Sequence, residues 1–231
     1  MLSAAVQDYI KAIYKLQQSE GKATTSALAE RLSVASASVT NMVKKLAEMK
    51  LVRHTPYREA VLTPAGEKIA LEIIRHHRLI ELYLAEVMGY SWDRVHEEAE
   101  KLEHVISEEF EEKIDQVLGR PTTDPHGDPI PSKDGKVSAC DHARLADLAP
   151  GTNAVVRRVD DFDPERLRYL SERGLVLNAR VQVIHKEPFN GPLLVRVGKA
   201  RHHLGLDVAR GVFVEMTSPP AGGASGAGAS S

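Results

Sequence analysis

The chain is nearly free of cysteine, since Cys140 is the only one among its 231 residues. A single thiol can form no internal disulfide and cannot supply a thiolate cluster for a metal. No apolar run approaches the roughly 20 residues that are needed to span a bilayer. The first residues also lack the basic leader and apolar core of a signal peptide. These absences exclude a disulfide-stapled secreted protein and an integral membrane protein, and we expect a cytoplasmic protein with no membrane partner.

Charge is unevenly distributed along the chain, although the formal net charge is only −2. Residues 1–68 carry ten Lys and Arg against six Asp and Glu, whereas residues 81–118 carry three against twelve. A basic N-terminal part suits contact with DNA phosphates, and an acidic second part suits hard cations. Two solvated helix faces of opposite sign would give the same counts, so that alternative stays open.

Residues 1–63 have the order of elements of a winged helix-turn-helix DNA-binding domain. A helix with apolar periodicity over residues 3–18 is followed by a short helix, SALAERL, a third helix, ASVTNMVKKLAEMK, and a hairpin, LVRHTPYREAVLT. In such domains the third helix enters the major groove, led by its N-terminal residues. The candidate contacts to bases are Ser36, Ala37, Ser38, Thr40 and Asn41, and those to phosphates are Lys44, Lys45, Arg53 and Arg58.

Two alternatives accompany this interpretation. Ser36 and Ser38 could serve only as helix caps. The whole unit could be a winged-helix module that binds protein rather than DNA.

The remaining residues predict an α+β fold with further domains. Residues 64–119 hold two long helices, of which the first begins at Thr63-Pro64 and the second runs from Ser91 to Leu118. Four prolines in residues 120–139 predict a linker. Short β-like runs in residues 140–217, around one helical stretch, predict a small β-barrel domain. Residues 218–231 are of low complexity and are expected to be disordered.

Candidate metal ligands recur on the two long helices. At about 100° per residue, four of them form one stripe beside the apolar face of the second helix. Two more lie four residues apart on the preceding helix, so that both can reach one ion. The stripe consists of His96, Glu100, Glu103 and His104, and the pair is His77 and Glu81. Half-buried carboxylates beside imidazoles are costly unless they are paired or bind a metal, so this pattern favours a metal site.

Several long motifs resemble the diphtheria toxin repressor family of metal-dependent regulators, including its manganese transport regulator branch. They are DYIKAIYKL, AERLSVASASVTNMVKKLAEMKLV, HHRLIELYLAEVMGYSWDRVHEEAEKLEHVIS and PHGDPIP. The resemblance covers residues 3–131, and the β-rich remainder is similar, more loosely, to the SH3-like domain of that family. It implies a DNA-binding, helical and SH3-like architecture in a homodimer that binds a double-stranded operator.

The resemblance also implies two metal sites per chain. The primary site would use Asp8, Glu100, Glu103 and His104, and the ancillary site would use His77, Glu81 and His96, with Asp163 and Glu165 as candidate additions from the C-terminal domain. Positions 8 and 100 hold carboxylates, as in the manganese branch, so the implied effector is Mn²⁺ or alternatively Fe²⁺. Lys11 stands where that branch has a Glu, which argues against a bimetallic cluster built on that position.

The implied function is a metal-activated repressor of metal-uptake genes that is not an enzyme. We expect Asp8, in the DNA-binding unit, to be linked to the helical scaffold only through the ion, so that metal sets the spacing of the two DNA-binding heads. The alternatives are a metal-dependent hydrolase and a winged-helix regulator that senses an organic ligand.

Overall fold

The structure is a computed structural model that describes residues 2–54, 59–138, 141–161 and 163–217. It has two compact units, an N-terminal one of Met1–Asp124 with Pro129–Ala139 and a C-terminal one of Pro125–Asp128 with Cys140–Ser231. The predicted α+β class is confirmed, because the first unit is mainly helical and the second is built on a six-stranded sheet. No helix within the described ranges is both long and apolar enough to cross a membrane.

The N-terminal unit begins with the predicted winged helix-turn-helix. Its elements are α1 (Ala4–Glu20), α2 (Thr25–Arg31), α3 (Ser36–Glu48), β1 (Val52–His54) and β2 (Ala60–Leu62). Thr24 caps α2 by accepting a hydrogen bond from the backbone of Ala27. Strands β1 and β2 pair in antiparallel register. Ile10, Leu28 and Leu46 of the three helices are fully buried in one core, which holds α3 against the other two helices.

Helix α4 (Pro64–Glu86) starts where the sequence predicts, with Thr63 accepting from the backbone of Gly66. A side chain at Gly66 would place its Cβ 2.2 Å from the Leu51 carbonyl oxygen, so only glycine allows this helix end to pack against the turn before β1. The prediction of one second long helix from Ser91 to Leu118 is wrong, because the chain forms α5 (Val95–Leu102) and α6 (Glu108–Val117) there instead. Ser107 caps α6 by accepting from the backbone of Phe110.

The predicted Pro-rich linker is packed over much of its length. In the N-terminal unit Ile130 is buried in the core formed by α4 to α6. The Pro131 carbonyl accepts a hydrogen bond of 2.9 Å from Arg75. In the C-terminal unit the His126 carbonyl accepts from the backbone of Val159. Composition alone does not separate a linker from a packed segment, because prolines suit both.

The C-terminal unit is an antiparallel sheet with the strand order β3-β8-β4-β5-β6-β7. The strands are β3 (Ala143–Arg144), β4 (Asn153–Val159), β5 (Arg180–Lys186), β6 (Leu193–Val197), β7 (Ala200–Leu204) and β8 (Val212–Met216). Helix α7 (Pro164–Glu172) is the predicted helical stretch, and the short α8 (Leu206–Arg210) has no counterpart in the prediction. Val156, Leu167 and Val183 are fully buried, which places the core between the sheet and α7.

Candidate metal centre

Three predicted ligands meet where α1 packs beside the end of α5. Asp8 Oδ1 lies 2.8 Å from His104 Nε2, which in turn lies 3.5 Å from Glu103 Oε1. One ligand atom from each residue falls within 4.8 Å of the others. The Gln7 amide oxygen can only accept, so His104 Nδ1 donates to it over 2.5 Å, and this hydrogen bond orients the ring with Nε2 toward Asp8 and Glu103. We call Asp8, Glu103 and His104 the α1-side cluster.

Glu100, the fourth predicted primary ligand, groups with Glu103 and His77. Its Oε1 accepts from Lys11 Nζ over 2.7 Å and lies 3.7 Å from His96 Nε2. Lys11 Nζ also donates to Glu103 Oε1 over 2.6 Å. The sequence marked Lys11 only as a departure from the family pattern, whereas the structure places its ammonium inside the centre.

The three residues predicted for the ancillary site form a second group, between α4 and α5. His77 Nε2 lies 2.9 Å from Glu81 Oε1 and 3.1 Å from His96 Nδ1, and the last two atoms are 3.0 Å apart. We call this group the α4-side cluster. His77 Nδ1 approaches Glu103 Oε2 to 2.5 Å, so Glu103 connects the two clusters.

The electrostatics of the centre are those of close opposite charges. Burial alone would lower the pKa of His77, but the carboxylates of Glu81 and Glu103 outweigh burial and raise that pKa to about 9. Burial likewise opposes the charge of Lys11, yet Glu103 and Glu100 raise its pKa. Burial would raise the pKa of Glu103, but His77 and Lys11 lower it. The carboxylates of Glu103 and Glu100, whose pKa values are both lowered, are therefore ionised at neutral pH.

The expectation that Asp8 reaches the scaffold only through an ion is wrong. Asp8 contacts His104 directly, and Lys11 connects α1 to Glu100 and Glu103. The reason is that α1 presents residues 8 and 11 on one face, one helical turn apart. A metal ion would therefore strengthen an existing connection between the DNA-binding helices and the metal-binding helices.

A buried polar network holds the segment that carries Glu103 and His104. His76 Nδ1 lies 3.4 Å from the Glu103 carbonyl oxygen, and His76 Nε2 lies 3.1 Å from Glu111 Oε2. Arg75 Nε donates to Glu111 Oε1 over 2.6 Å, and its Nη2 lies 3.2 Å from Asp115. The network ties α4 to Glu103 at the end of α5 and to α6 beyond the break in the predicted helix. It therefore positions the two candidate ligands Glu103 and His104.

The predicted DNA contacts lie on the open side of α3. Ser36, Ala37, Ser38, Asn41, Lys44 and Lys45 are exposed, as is Arg53 on β1, and Thr40 is half-buried. The Thr40 hydroxyl donates to the Ser36 carbonyl. The helix is capped by Ala35 with no side-chain hydrogen bond, so capping does not account for Ser36 or Ser38. Arg58 lies outside the described residues.

Asp163 and Glu165 belong to the C-terminal unit. Asp163 is the N-cap of α7, and its Oδ1 accepts from the backbone of Glu165 over 2.9 Å and from that of Arg166. This local role explains the Asp-Pro-Glu sequence at the helix start. Their addition to the ancillary site stays a prediction.

Sequence reasoning missed Gln7, Lys11 and His76 as members of the centre. A signal existed for Lys11, because it follows Asp8 by three residues on a helix whose neighbouring positions, Ile10 and Ile13, are apolar. His76 gave no such signal, since one His beside a ligand His is common on a helix.

Fold and site together define a metal-dependent DNA-binding regulator. The model of the iron dependent repressor N-terminal DNA binding domain matches residues 1–60. The model of the iron dependent repressor metal binding and dimerisation domain matches residues 63–132, and that of the FeoA domain matches residues 143–216. The chain belongs to the iron-dependent repressor family.

Relatives agree with this assignment over nearly the whole chain. The chain is 34% identical to the iron-dependent repressor IdeR of Mycobacterium tuberculosis, over 90% of this chain and 95% of that protein. It is 30% identical to the diphtheria toxin repressor of Corynebacterium efficiens, over 90% and 93%. The solved structure of a manganese-dependent transcriptional repressor in complex with manganese is 38% identical, with a TM-score of 0.86, over 92% of this chain and all of that one.

The relatives also decide between the predicted alternatives. Metal-dependent transcriptional regulation is confirmed, and the proteins compared are repressors rather than enzymes. The hydrolase and the regulator of an organic ligand find no support among them.

Proposed function

We propose that this chain is a repressor that binds its operator as a homodimer when Mn²⁺, or alternatively Fe²⁺, occupies two sites per chain. The observation that carries the proposal is the α1-side cluster. It joins Asp8 of the DNA-binding helices to Glu103 and His104 of the metal-binding helices. An ion held there acts on the position of the DNA-binding domain.

The donor set fits such ions. Both clusters offer only carboxylate oxygen and imidazole nitrogen, which suit Mn²⁺ and Fe²⁺ without soft ligands. A bound divalent ion would supply a charge that several carboxylates can share. In the α1-side cluster, Asp8, Glu103 and His104 would hold it, with Glu100 as a further ligand. In the α4-side cluster, His77, Glu81 and His96 would hold it, and Asp163 and Glu165 are the proposed additional ligands.

Homodimerisation is supported by apolar side chains left on the outside of the helical part. Val105 is 74% exposed, Val117 is 65% exposed and Phe110 is 49% exposed. Such residues are typical of an interface. Two DNA-binding heads in one dimer can enter major-groove faces one turn apart, so we propose a two-fold operator among metal-uptake genes. A regulator of this kind acts on the chromosome, which supports the cytoplasm as its location.

Metal-titrated DNA binding tests the proposal. The probe is a duplex selected from a random library by the Mn²⁺-loaded chain, and affinity is measured by anisotropy after chelation and then with added Mn²⁺ or Zn²⁺. We expect Mn²⁺ to raise affinity about 100-fold, as a coupling of about 3 kcal/mol allows. Zn²⁺ should bind at least as tightly but activate less, because it prefers four ligands and leaves Asp8 outside its coordination shell. Binding that keeps its affinity and sequence preference after exhaustive chelation would refute the proposal.

The exposed side of α3 predicts two different mutant phenotypes. Asn41→Ala should reduce discrimination between sequences by about 1–3 kcal/mol, if its amide reads a base in bidentate fashion. Lys44→Ala should weaken binding to all DNA sequences alike and reduce the slope of log affinity against log salt concentration by about one. Competition with mutated probes at several salt concentrations separates the two effects. Equal salt slopes and equal specificity profiles for both variants would contradict this division of roles.

A further inference from the structure

Lys11 is a buried cation at the point where the two metal clusters meet. Its side chain is only 8% exposed. Its ammonium lies 2.7 Å from Glu100 Oε1 and 2.6 Å from Glu103 Oε1, in both cases as a charged hydrogen bond. Burying an ammonium is expensive unless carboxylates compensate for it, and here two do so.

The oxygen that Lys11 binds is one that the metal site needs. Glu103 Oε1 receives the Lys11 hydrogen bond and also faces His104 Nε2 at 3.5 Å. The other oxygen, Oε2, is engaged by His77 at 2.5 Å. Glu100 Oε1 is drawn toward Lys11 as well. The ammonium therefore competes with a divalent ion for the same carboxylates.

The charge balance around α1 also indicates that Lys11 weakens divalent-ion binding. Asp8, Glu100 and Glu103 together carry three negative charges near α1, and Lys11 reduces the total to two, while protonated His77 and Glu81 offset each other in the α4-side cluster. One divalent ion balances that remainder. Without the ammonium, the same three carboxylates would attract a divalent ion more strongly and would be free to share it.

We propose that Lys11 is a tethered cation of the metal centre, which weakens divalent-ion binding at the α1-side cluster and thereby raises the metal concentration needed to activate DNA binding. The inference rests on the proposed metal function. Lys11 holds Glu100 and Glu103 together when no divalent ion does so, and it limits how strongly these two carboxylates bind an ion. The chain is thus tuned to respond to higher metal levels than its carboxylates alone would set.

The test compares the full-length parent chain with Lys11→Met, which keeps most of the side-chain volume and removes the charge. Lys101→Met is the matched control. It removes a positive charge from α5, but from an exposed lysine that pairs with Glu98 outside the centre. Mn²⁺ affinity and stoichiometry are measured by equilibrium dialysis, and melting temperature is measured with a chelator and with saturating Mn²⁺.

We expect Lys11→Met to bind Mn²⁺ about tenfold more tightly or better, since a nearby positive charge is lost. We also expect it to melt at a lower temperature than the parent in chelator and to recover most of that loss in Mn²⁺. Lys101→Met should match the parent in Mn²⁺ binding. Lys11→Gln keeps hydrogen-bond donors near both carboxylates without the charge, so it should also bind Mn²⁺ more tightly even if the Met variant folds poorly.

Two results would overturn the inference. The first is Lys11→Met and Lys11→Gln proteins that bind Mn²⁺ no more tightly than the parent. The second is a loss of melting temperature that Mn²⁺ does not reduce, which would make Lys11 a purely structural clamp between α1 and α5. A parent chain that binds no Mn²⁺ at all would instead refute the proposed function itself, and the inference with it.

Discussion

Glu103→Gln is expected to abolish metal-activated DNA binding, with a loss of about 100-fold in affinity for the selected duplex at saturating Mn²⁺. Glu103 is the residue that connects the two clusters, since its two oxygens face Lys11 and His104 on one side and His77 on the other. A neutral amide is a far weaker ligand than a carboxylate. It also removes the charge that helps to draw an ion to both clusters. Anisotropy with and without Mn²⁺ measures the loss.

His104→Ala and Glu98→Gln complete this experiment. His104→Ala removes a ligand that is only partly buried, so it should lose metal activation while the dimer stays folded. Glu98→Gln makes the same chemical change on α5 but outside the centre, so it should behave like the parent. A Glu103→Gln protein that binds the duplex in Mn²⁺ as tightly as the parent would show that the α1-side cluster is not the activating site.

The second large effect concerns stability rather than metal binding. Glu111→Gln is expected to lower the free energy of unfolding of the N-terminal unit by about 3 kcal/mol, the lower end of the range for breaking a buried ion pair. The Glu111 side chain is 8% exposed and accepts from Arg75 and His76. The variant removes one of the two carboxylates that face the Arg75 guanidinium, also 8% exposed, and leaves Asp115 as the charged partner among the described residues, beside the neutral Pro131 carbonyl and the new amide. Urea denaturation followed by circular dichroism measures the change.

The pH dependence of this effect has a defined sign. The hydrogen bond from His76 lowers the pKa of Glu111, burial opposes that shift, and Arg75 adds to it, so that the pKa falls to about 2 from 4.5. A carboxylate with a lowered pKa stabilises the fold above its unfolded pKa. The parent should therefore lose this contribution as the pH falls from about 4.5 toward 2, whereas Glu111→Gln lacks it at neutral pH.

Glu109→Gln is the matched control for the second prediction. It lies on α6 two residues away, with an exposed side chain, and should unfold like the parent. If Glu109→Gln and Glu111→Gln have the same stability at pH 7, the buried network does not stabilise the fold as described.

Local sequence signals were sufficient to predict several helices and some of their buried residues. Thr63-Pro64 predicts the start of α4, and the structure has the Thr63 cap there. Apolar periodicity in α1 predicts Ile10 and Ile13 as core residues, and both are fully buried. Such predictions succeed because helix caps and helical periodicity depend on residues within a few positions of one another.

The break between α5 and α6 shows where the same reasoning fails. A helical stripe of His96, Glu100, Glu103 and His104 is consistent with one helix, yet α5 ends at Leu102. The start of α6 was visible as Ser107 followed by acidic residues, a pattern typical of an N-cap. Periodicity concealed the break, because Glu103, the C-cap of α5, keeps helical backbone angles and His104 follows it directly.

The sequence by itself determined the family, the α+β architecture and a set of candidate ligands, because long motifs and short-range patterns carry that information. Only the tertiary structure decided that Glu103 connects the two clusters, that Lys11 and His104 face the same Glu103 oxygen, and that Asp8 meets His104 directly. The same holds for Lys11, whose partners Glu100 and Glu103 are 89 and 92 residues away in the chain. Pairings over such distances arise from the packing of α1 against the metal-binding helices, and no local pattern encodes the final position of a side chain in that packing.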